Sequence, residues 1–273
     1  MVCQRDSSGA FPIIQPTLMK DTKGIIMFHV GRSGSTVLSN LLSQNPVIEW
    51  EVEPFENLAA HNQKTARQIV RWLPIRIAPF HYLHKRRKRS VAPFYGFDIK
   101  FYHLSDRGIE LGEALKRLGS QGFERIISLK RKNLLRKIVS SVSALQQGSY
   151  HLGTNVRSHC EPVFIDPNAV LIDGDNTGLA ERFQRWQDCF EALEEQVSAF
   201  RSLTLTYEDD ILVDPQAGYR RVCEFLEVEP GKVTVRHSRT TPTPLHQMVR
   251  NWNQICDALA GTKWEWMLDE SGS

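Results

Sequence analysis

The sequence predicts an α/β fold in which a mostly parallel sheet is flanked by helices. Short apolar runs typical of buried strands alternate along the chain with segments of helical periodicity. The first of these runs also leads through a glycine-containing loop directly into a helix. At 273 residues the chain is long enough to bury a full core. We therefore expect one domain over residues 1–273, with an irregular arm at 1–23 and a ligand site at the carboxyl ends of the strands.

The stretch from Gly24 to Phe55 contains a strand, a tight loop and a helix in close succession. The run Ile25–Phe28 is too short for a helix and rich in β-branched and aromatic residues, so it predicts a buried strand. Glycines let a loop backbone approach an anion, and a following helix directs its free N–H groups at the same point. The pattern predicts a phosphate-binding loop. Its residues are Gly31, Arg32, Ser33, Gly34, Ser35 and Thr36.

This loop differs from the ATP- and GTP-binding loop, whose pattern is G-x-x-x-x-G-K-[ST]. No lysine follows Gly34, and the loop is shorter. The group that contacts the β- and γ-phosphates is therefore missing. A P-loop-type small-molecule kinase stays open as an alternative, as does a nucleotide-binding module without catalytic activity. If the loop binds no ligand, it is an ordinary turn that starts a helix.

The segment GRSGSTVLSNLLSQNPVIEWEVEP resembles the first nucleotide-binding segment of sulfotransferases that use 3′-phosphoadenosine-5′-phosphosulfate (PAPS). It is closest to their carbohydrate and bacterial branches, and it departs from the cytosolic aryl and steroid branch, which has Lys at the position of Arg32. The matching elements occur in the family's order: Arg32–Thr36, Asn45-Pro46 and Glu53-Pro54. The resemblance implies a P-loop-like sulfotransferase fold. It also implies that PAPS is the donor and that 3′-phosphoadenosine-5′-phosphate (PAP) is its product.

A second segment of the resemblance runs from Arg125 to Gln147, with a strand, basic residues and a helix predicted from Leu134 to Gln147. In the family an Arg at the strand end and a Ser more than two helical turns later hold the 3′-phosphate. Arg131 and Ser140 match best. Lys132 shifts the spacing by one, and Ser141 and Ser143 are alternative hydroxyls. A guanidinium binds a phosphate through two parallel hydrogen bonds, so the pairing is chemically sound.

Two later segments extend the resemblance towards the carboxyl end. LTYEDDILVDPQAGYRRVCEFLEV resembles the third family segment, in which a Tyr lies close to the adenosine. The matching residue is Tyr207, for which packing at a strand end is an equal interpretation. Residues 236–268 resemble the C-terminal nucleotide loop, where Arg239 would help to hold the 3′-phosphate. The R-K-G triplet of the cytosolic branch is absent there.

The resemblance implies transfer of the sulfuryl group of PAPS to an acceptor hydroxyl, and three residues are the main candidates for catalysing it. Arg32 would bind the 5′-phosphate and stabilise the leaving oxygen. Glu53, which matches the family E-P glutamate, or His103 would act as general base on the acceptor hydroxyl, with Glu56 in reserve. The segment FYGFDIKFYHL resembles the family strand that delivers a Lys and a His, although Lys100 and His103 are separated by two residues instead of one. No metal ion is required by these residues.

Composition constrains the partners and the compartment. A net charge of +3 is too small to indicate nucleic-acid binding, and we interpret the basic run 84–89 as a solvated loop. No apolar run reaches the roughly 18 residues of a membrane span, and the N-terminus lacks a signal-peptide core. The 5 cysteines are scattered, which indicates reduced thiols and a cytoplasmic protein.

The acceptor is expected to be a small molecule, lipid or glycan that carries a hydroxyl group. Residues 148–178 are polar and rich in turn-forming residues. Loops on a rigid scaffold commonly carry specificity, so we expect this region to face the acceptor. The oligomeric state has no signal in the sequence.

Overall fold

The computed structural model describes residues 21–56, 78–147, 161–236 and 243–269. Its strands, in chain order, are β1 (Lys23–His29), β2 (Ile48–Glu51), β3 (Phe94–Lys100), β4 (Phe123–Lys130), β5 (Val170–Ile172), β6 (Asp175–Thr177) and β7 (Arg201–Thr206). Its α-helices are α1 (Ser35–Leu42), α2 (Pro79–Arg89), α3 (Phe101–Ser105), α4 (Leu111–Ser120), α5 (Leu134–Gln147), α6 (Leu179–Gln196), α7 (Pro215–Leu226), α8 (Leu245–Met248) and α9 (Trp252–Leu259). A π-helix (Glu208–Leu212) and a 3-10 helix (Glu265–Leu268) follow β7 and α9.

Within the described residues the main sheet has five strands, all parallel, in the order β2-β3-β1-β4-β7. The central strand β1 is buried on both faces. Ile25 and Met27 pack with α1 and α7 on one face, while Ile26 and Phe28 pack with α2 and α4 on the other. Helices on both faces explain why this strand is a continuous apolar run without alternation. The predicted α/β class, with a parallel sheet flanked by helices, is confirmed.

A third apolar cluster joins α5 and α6 to the β5–β6 hairpin and to the helices α8 and α9. The hairpin turns through Asp173 and Gly174, whose φ angles of 56° and 78° are both positive, as a two-residue type I′ turn requires. The Arg182 guanidinium on α6 donates hydrogen bonds to the carbonyl groups of Val170, Ile172 and Asp175. These bonds hold the hairpin against α6.

The basic run 84–89 forms the greater part of α2, so its assignment as a loop was wrong. Several of its cations are paired with acidic residues of other segments. Arg86 contacts Glu49 and Glu51, and Lys88 contacts Asp21. Basic residues in the last turn of a helix also interact favourably with the helix dipole. This run is therefore accounted for by the fold.

The strand predicted from Phe94 ends at Lys100, and the residues after it form the short helix α3. The helix predicted from Leu134 to Gln147 is α5, which begins and ends at these residues. The first part of 148–178 and Arg239 lie outside the described residues. Within the described ranges, no helix combines the length and the apolar character needed to cross a membrane.

Candidate functional site

The predicted site residues follow the carboxyl ends of the five parallel strands. Because parallel strands point the same way, these ends meet at one edge of the sheet although they are distant in sequence. The edge consists of Gly31–Thr36 after β1, Glu53 after β2, Lys100 at the end of β3, Arg131 after β4 and Tyr207 after β7.

The loop after β1 enters α1 through two left-handed backbone conformations. Arg32 has φ 57°, and Gly34, at the N-cap position of α1, has φ 83°. A Cβ atom added at Gly34 would lie 2.8 Å from Ile211 and 2.9 Å from Tyr207. Glycine is therefore required at Gly34 both for its backbone conformation and for lack of space.

Arg32 connects this loop to α5. Its Nε donates a hydrogen bond to Oγ of Ser140 at 2.9 Å. Arg131 donates from Nη1 to the carbonyl oxygen of Arg32, and its guanidinium carbon lies 4.4 Å from the centroid of the Tyr207 ring. Four predicted residues from three separate segments thus form one connected group.

The loop hydroxyls are suited to an anion. Oγ of Ser33 is fully buried and has no hydrogen-bond partner among the described residues. A buried polar group without a partner costs about 1–3 kcal/mol, and an anion held in the loop would supply an acceptor. Ser35 and Thr36 begin α1, where the first N–H groups have no partner within the helix. These features fit a phosphate group.

Glu53 and Lys100 form a short ion pair at the ends of β2 and β3. Nζ of Lys100 lies 2.6 Å from Oε2 of Glu53, and both side chains are 16% exposed. The Lys100 stem passes over the loop, since its Cε lies 3.6 Å from the position of a Cβ on Gly31. Burial favours the neutral amine, but the Glu53 carboxylate outweighs it and raises the pKa of Lys100 above its ordinary value. The Lys100 side chain is therefore an ammonium group.

Two buried residues beside Glu53 were missed by the sequence analysis. Nε2 of His29 lies 3.3 Å from Oδ2 of Asp98 and 4.0 Å from Oε1 of Glu53. Oδ1 of Asp98 accepts hydrogen bonds from Ser39, from Trp50 and from the Glu53 N–H. The sequence did carry a signal for them, since His29 in β1 and Asp98 in β3 are polar residues in largely apolar strands. The network positions the backbone of Glu53.

His29, Glu53 and Asp98 each place one possible metal ligand within 4.8 Å of the others. One imidazole and two carboxylates would suit a divalent cation. Two features weigh against it. The Lys100 ammonium already neutralises Glu53, and a metal-bound imidazole normally donates its second N–H to a partner. Nδ1 of His29 has none among the described residues. A hydrogen-bonded His–Asp pair explains this group better.

His103, the alternative base, is 1% exposed at the start of α3. Its Nδ1 accepts the Lys100 N–H at 3.3 Å, and its Nε2 is buried without a partner in the described part of the chain. Burial, reinforced by the Lys100 charge, lowers the pKa of His103 to about 2, so the ring is neutral. The structure gives His103 a capping role, and its part in proton transfer stays a prediction.

Lys137, also missed from the sequence, is 1% exposed on α5. Its Nζ lies 3.5 Å from the centroid of the Trp186 ring and 3.9 Å from Oδ2 of Asp173. Burial lowers the pKa of Lys137 to about 7, against the opposing effect of Asp173. Asp173 at the hairpin tip also acts electrostatically on Lys100 and Tyr102. The described part of the 148–178 region therefore reaches the edge that carries Glu53.

Basic and acidic side chains both lie along this edge of the sheet. The cations are Arg32, Lys100, Arg131 and Lys137, and the carboxylates that contact or act on them are Glu53, Asp173 and Glu208. Glu208 also accepts hydrogen bonds from the N–H groups of Lys132 and Asn133 at the start of α5. The arginines that contact the loop, Arg32 and Arg131, are suited to an anionic ligand.

No protein-family model matches this chain, and no curated protein matches it. Among solved structures, the chain is similar to a sugar kinase from Janibacter sp. HTCC2649, determined as an unliganded crystal structure. The TM-score is 0.35 at 11% sequence identity, and the alignment covers 77% of this chain and 96% of the kinase chain. A likeness at this TM-score supports no assignment of fold or function.

Proposed function

We propose that this protein is a sulfotransferase that moves the sulfuryl group of PAPS to a hydroxyl of a carbohydrate, lipid or other small-molecule acceptor. The observation that carries the proposal is the connected group of Arg32, Arg131, Ser140 and Tyr207 around the loop. The strand–loop–helix suits one phosphate, and the Arg131–Ser140 pair suits a second. Two anion-binding elements beside an aromatic ring match a nucleotide with 5′- and 3′-phosphates.

Each part of the nucleotide has proposed partners. The loop N–H groups, the Ser33 hydroxyl and the Arg32 guanidinium would hold the 5′-phosphate. Arg131 and Ser140 would hold the 3′-phosphate, together with Arg239 from outside the described residues. Tyr207, with Arg131 stacked on its ring, would lie beside the adenosine. When bound, PAPS supplies an activated sulfuryl group, and the protein orients it.

Glu53 is the proposed general base. It would accept the proton of the acceptor hydroxyl while the acceptor oxygen bonds to sulfur and the bond between sulfur and the 5′-phosphate oxygen breaks. PAP then leaves with the negative charge. Lys100, paired with Glu53, and Arg32 would stabilise the negative charge that develops during transfer, since such fixed charges lower the barrier. Asp98 steadies Glu53 by accepting its N–H at 3.4 Å.

A nucleoside-triphosphate-dependent kinase is the second candidate. The observation that favours it is the His29–Glu53–Asp98 group, because a kinase needs carboxylates to hold Mg²⁺. The absent loop lysine and the Lys100 ammonium next to Glu53 weigh against it. A binding module without catalysis would show nucleotide affinity and no turnover.

Thermal unfolding with PAP, or with ATP and Mg²⁺, separates the first two candidates. Saturation with PAP at about 100 times its Kd should stabilise the fold by about 2.7 kcal/mol. AMP, which lacks the 3′-phosphate, should stabilise less, and Ser140→Ala should abolish most of this difference. Stabilisation by ATP and Mg²⁺ alone would overturn the proposal in favour of a kinase. Binding of PAP without transfer of labelled sulfate to any acceptor in a broad panel would favour a binding module.

A further inference from the structure

Among the described residues, Lys137 is the one lysine whose side chain is buried. Lysines are almost never buried without a partner. The Trp186 ring, 3.5 Å from Nζ, provides a cation–π contact. The Asp173 carboxylate at 3.9 Å is within ion-pair range but too distant for a hydrogen bond. An ammonium group has three N–H donors, and Asp173 satisfies none of them at this distance. Such a group is available to an anionic ligand.

The position of Lys137 on α5 directs it to the proposed cofactor site. It precedes Ser140 by three residues, and residues three apart share one helix face. Ser140 is bonded to Arg32 of the loop. Lys137 also lies close enough to Lys100 and Arg131 to be influenced by both charges. These two cations come from the ends of β3 and β4, the strands on either side of β1.

We propose that the Lys137 ammonium binds the sulfuryl group of PAPS, a contact that rests on the function proposed above. The other anionic groups of the nucleotide already have partners. The loop and Arg32 are assigned to the 5′-phosphate, and Arg131 with Ser140 to the 3′-phosphate. Lys100 pairs with Glu53, the proposed base. The sulfuryl group, which would lie between the base and the 5′-phosphate, is the anionic group left for Lys137, three residues before the serine that bonds Arg32 of the loop.

This contact predicts a dependence on pH. Burial and the charges of Arg182, Lys100 and Arg131 favour the neutral amine, whereas Asp173 favours the ammonium, and the resulting pKa of Lys137 is about 7. The negative charge of an adjacent sulfuryl group would raise the pKa of Lys137, so binding of PAPS would take up a proton. Affinity for PAPS should consequently be greatest below about pH 7 and should fall as the pH rises above it.

The test compares PAPS with PAP, which keeps both phosphates and lacks the sulfuryl group. Calorimetric titrations without acceptor would use wild type, Lys137→Met and, as matched control, Lys116→Met at an exposed site on α4. Lys137→Met should weaken PAPS binding by about 10-fold or more near pH 6.5, in line with a hydrogen bond to a charged group, and change PAP binding less than about 3-fold. Lys116→Met should leave both affinities unchanged.

Equal losses for the two nucleotides, or no loss for either, would overturn the contact and make Lys137 a structural residue of α5. If Lys137→Met does not fold, the wild-type pH series decides: PAPS affinity should fall between about pH 6.5 and about pH 8.5 by more than PAP affinity does. Parallel pH profiles for the two nucleotides would refute the proposal. A wild-type protein that does not bind PAP at all would instead refute the proposed function.

Discussion

Arg32 donates from Nε to Oγ of Ser140 at 2.9 Å, across 108 positions of sequence. This hydrogen bond ties the loop after β1 to α5, so the two elements proposed to hold the 5′- and 3′-phosphates are oriented relative to each other. Groups that are already oriented lose little conformational freedom when a ligand binds. The bond would therefore serve the affinity for the proposed nucleotide as well as folding.

Ser140→Ala should weaken PAP binding by about 10- to 100-fold, because a hydrogen bond to a charged group contributes about 1.5–3 kcal/mol. The change removes the link to Arg32 and a proposed donor to the 3′-phosphate. Calorimetric titration measures the loss. Ser141→Ala, at the next position of α5, is the matched control and should stay within about 2-fold of wild type. A loss confined to Ser141→Ala would transfer the role to that hydroxyl.

Gly34→Ala should destabilise the fold and abolish PAP binding, because its φ is 83° and the added Cβ would meet Ile211 and Tyr207. Gly108→Ala is the matched control, since its φ is 61° with no atom within 4 Å of the added Cβ. Backbone strain alone costs about 1–3 kcal/mol, and overpacking adds a similar amount. Urea unfolding should thus show Gly34→Ala to be the less stable variant. Equal stability of the two would contradict the crowding at Gly34.

Glu53→Gln should lower kcat by about 10²- to 10⁴-fold while leaving PAP affinity within about 3-fold of wild type, because a general base acts in the transition state. Turnover is followed with labelled PAPS and an accepted hydroxyl compound. Glu56→Gln, which removes the reserve candidate, should retain most of the activity. If Glu56→Gln is the inactive variant, the base has been assigned to the wrong glutamate.

His103→Asn should flatten the dependence of stability on pH. Burial holds the pKa of His103 at about 2, below its ordinary value of about 6.5, so the unfolded chain binds a proton more readily than the folded one. The contribution of the neutral ring is fully present above about pH 6.5 and is lost as the pH falls towards about 2, at up to about 1.4 kcal/mol per pH unit. The Asn carbonyl can replace Nδ1 as acceptor of the Lys100 N–H. Urea unfolding at several pH values measures both curves, and parallel curves would contradict the burial of His103.

The strand–loop–helix formed by β1, residues 31–34 and α1 was predictable because its signals are local. The apolar run of β1, the glycines and the helical spacing of α1 occur within about twenty consecutive residues, and each signal restricts the backbone by itself. The same holds for α5, whose bounds agree with the prediction. The basic run 84–89 was misassigned because its partners Glu49, Glu51 and Asp21 lie on other segments.

The sequence alone determined the α/β class and the strand–loop–helix that begins the sheet, and it predicted which residues follow the ends of the strands. Only the tertiary structure decided that His29 and Asp98 support Glu53 and that Lys137 lies buried opposite Asp173. The physical reason is that these relationships depend on sheet register and on the docking of α5 and the β5–β6 hairpin. Such packing is long-range, and it changes the environment of a side chain without leaving a pattern in the residues next to it.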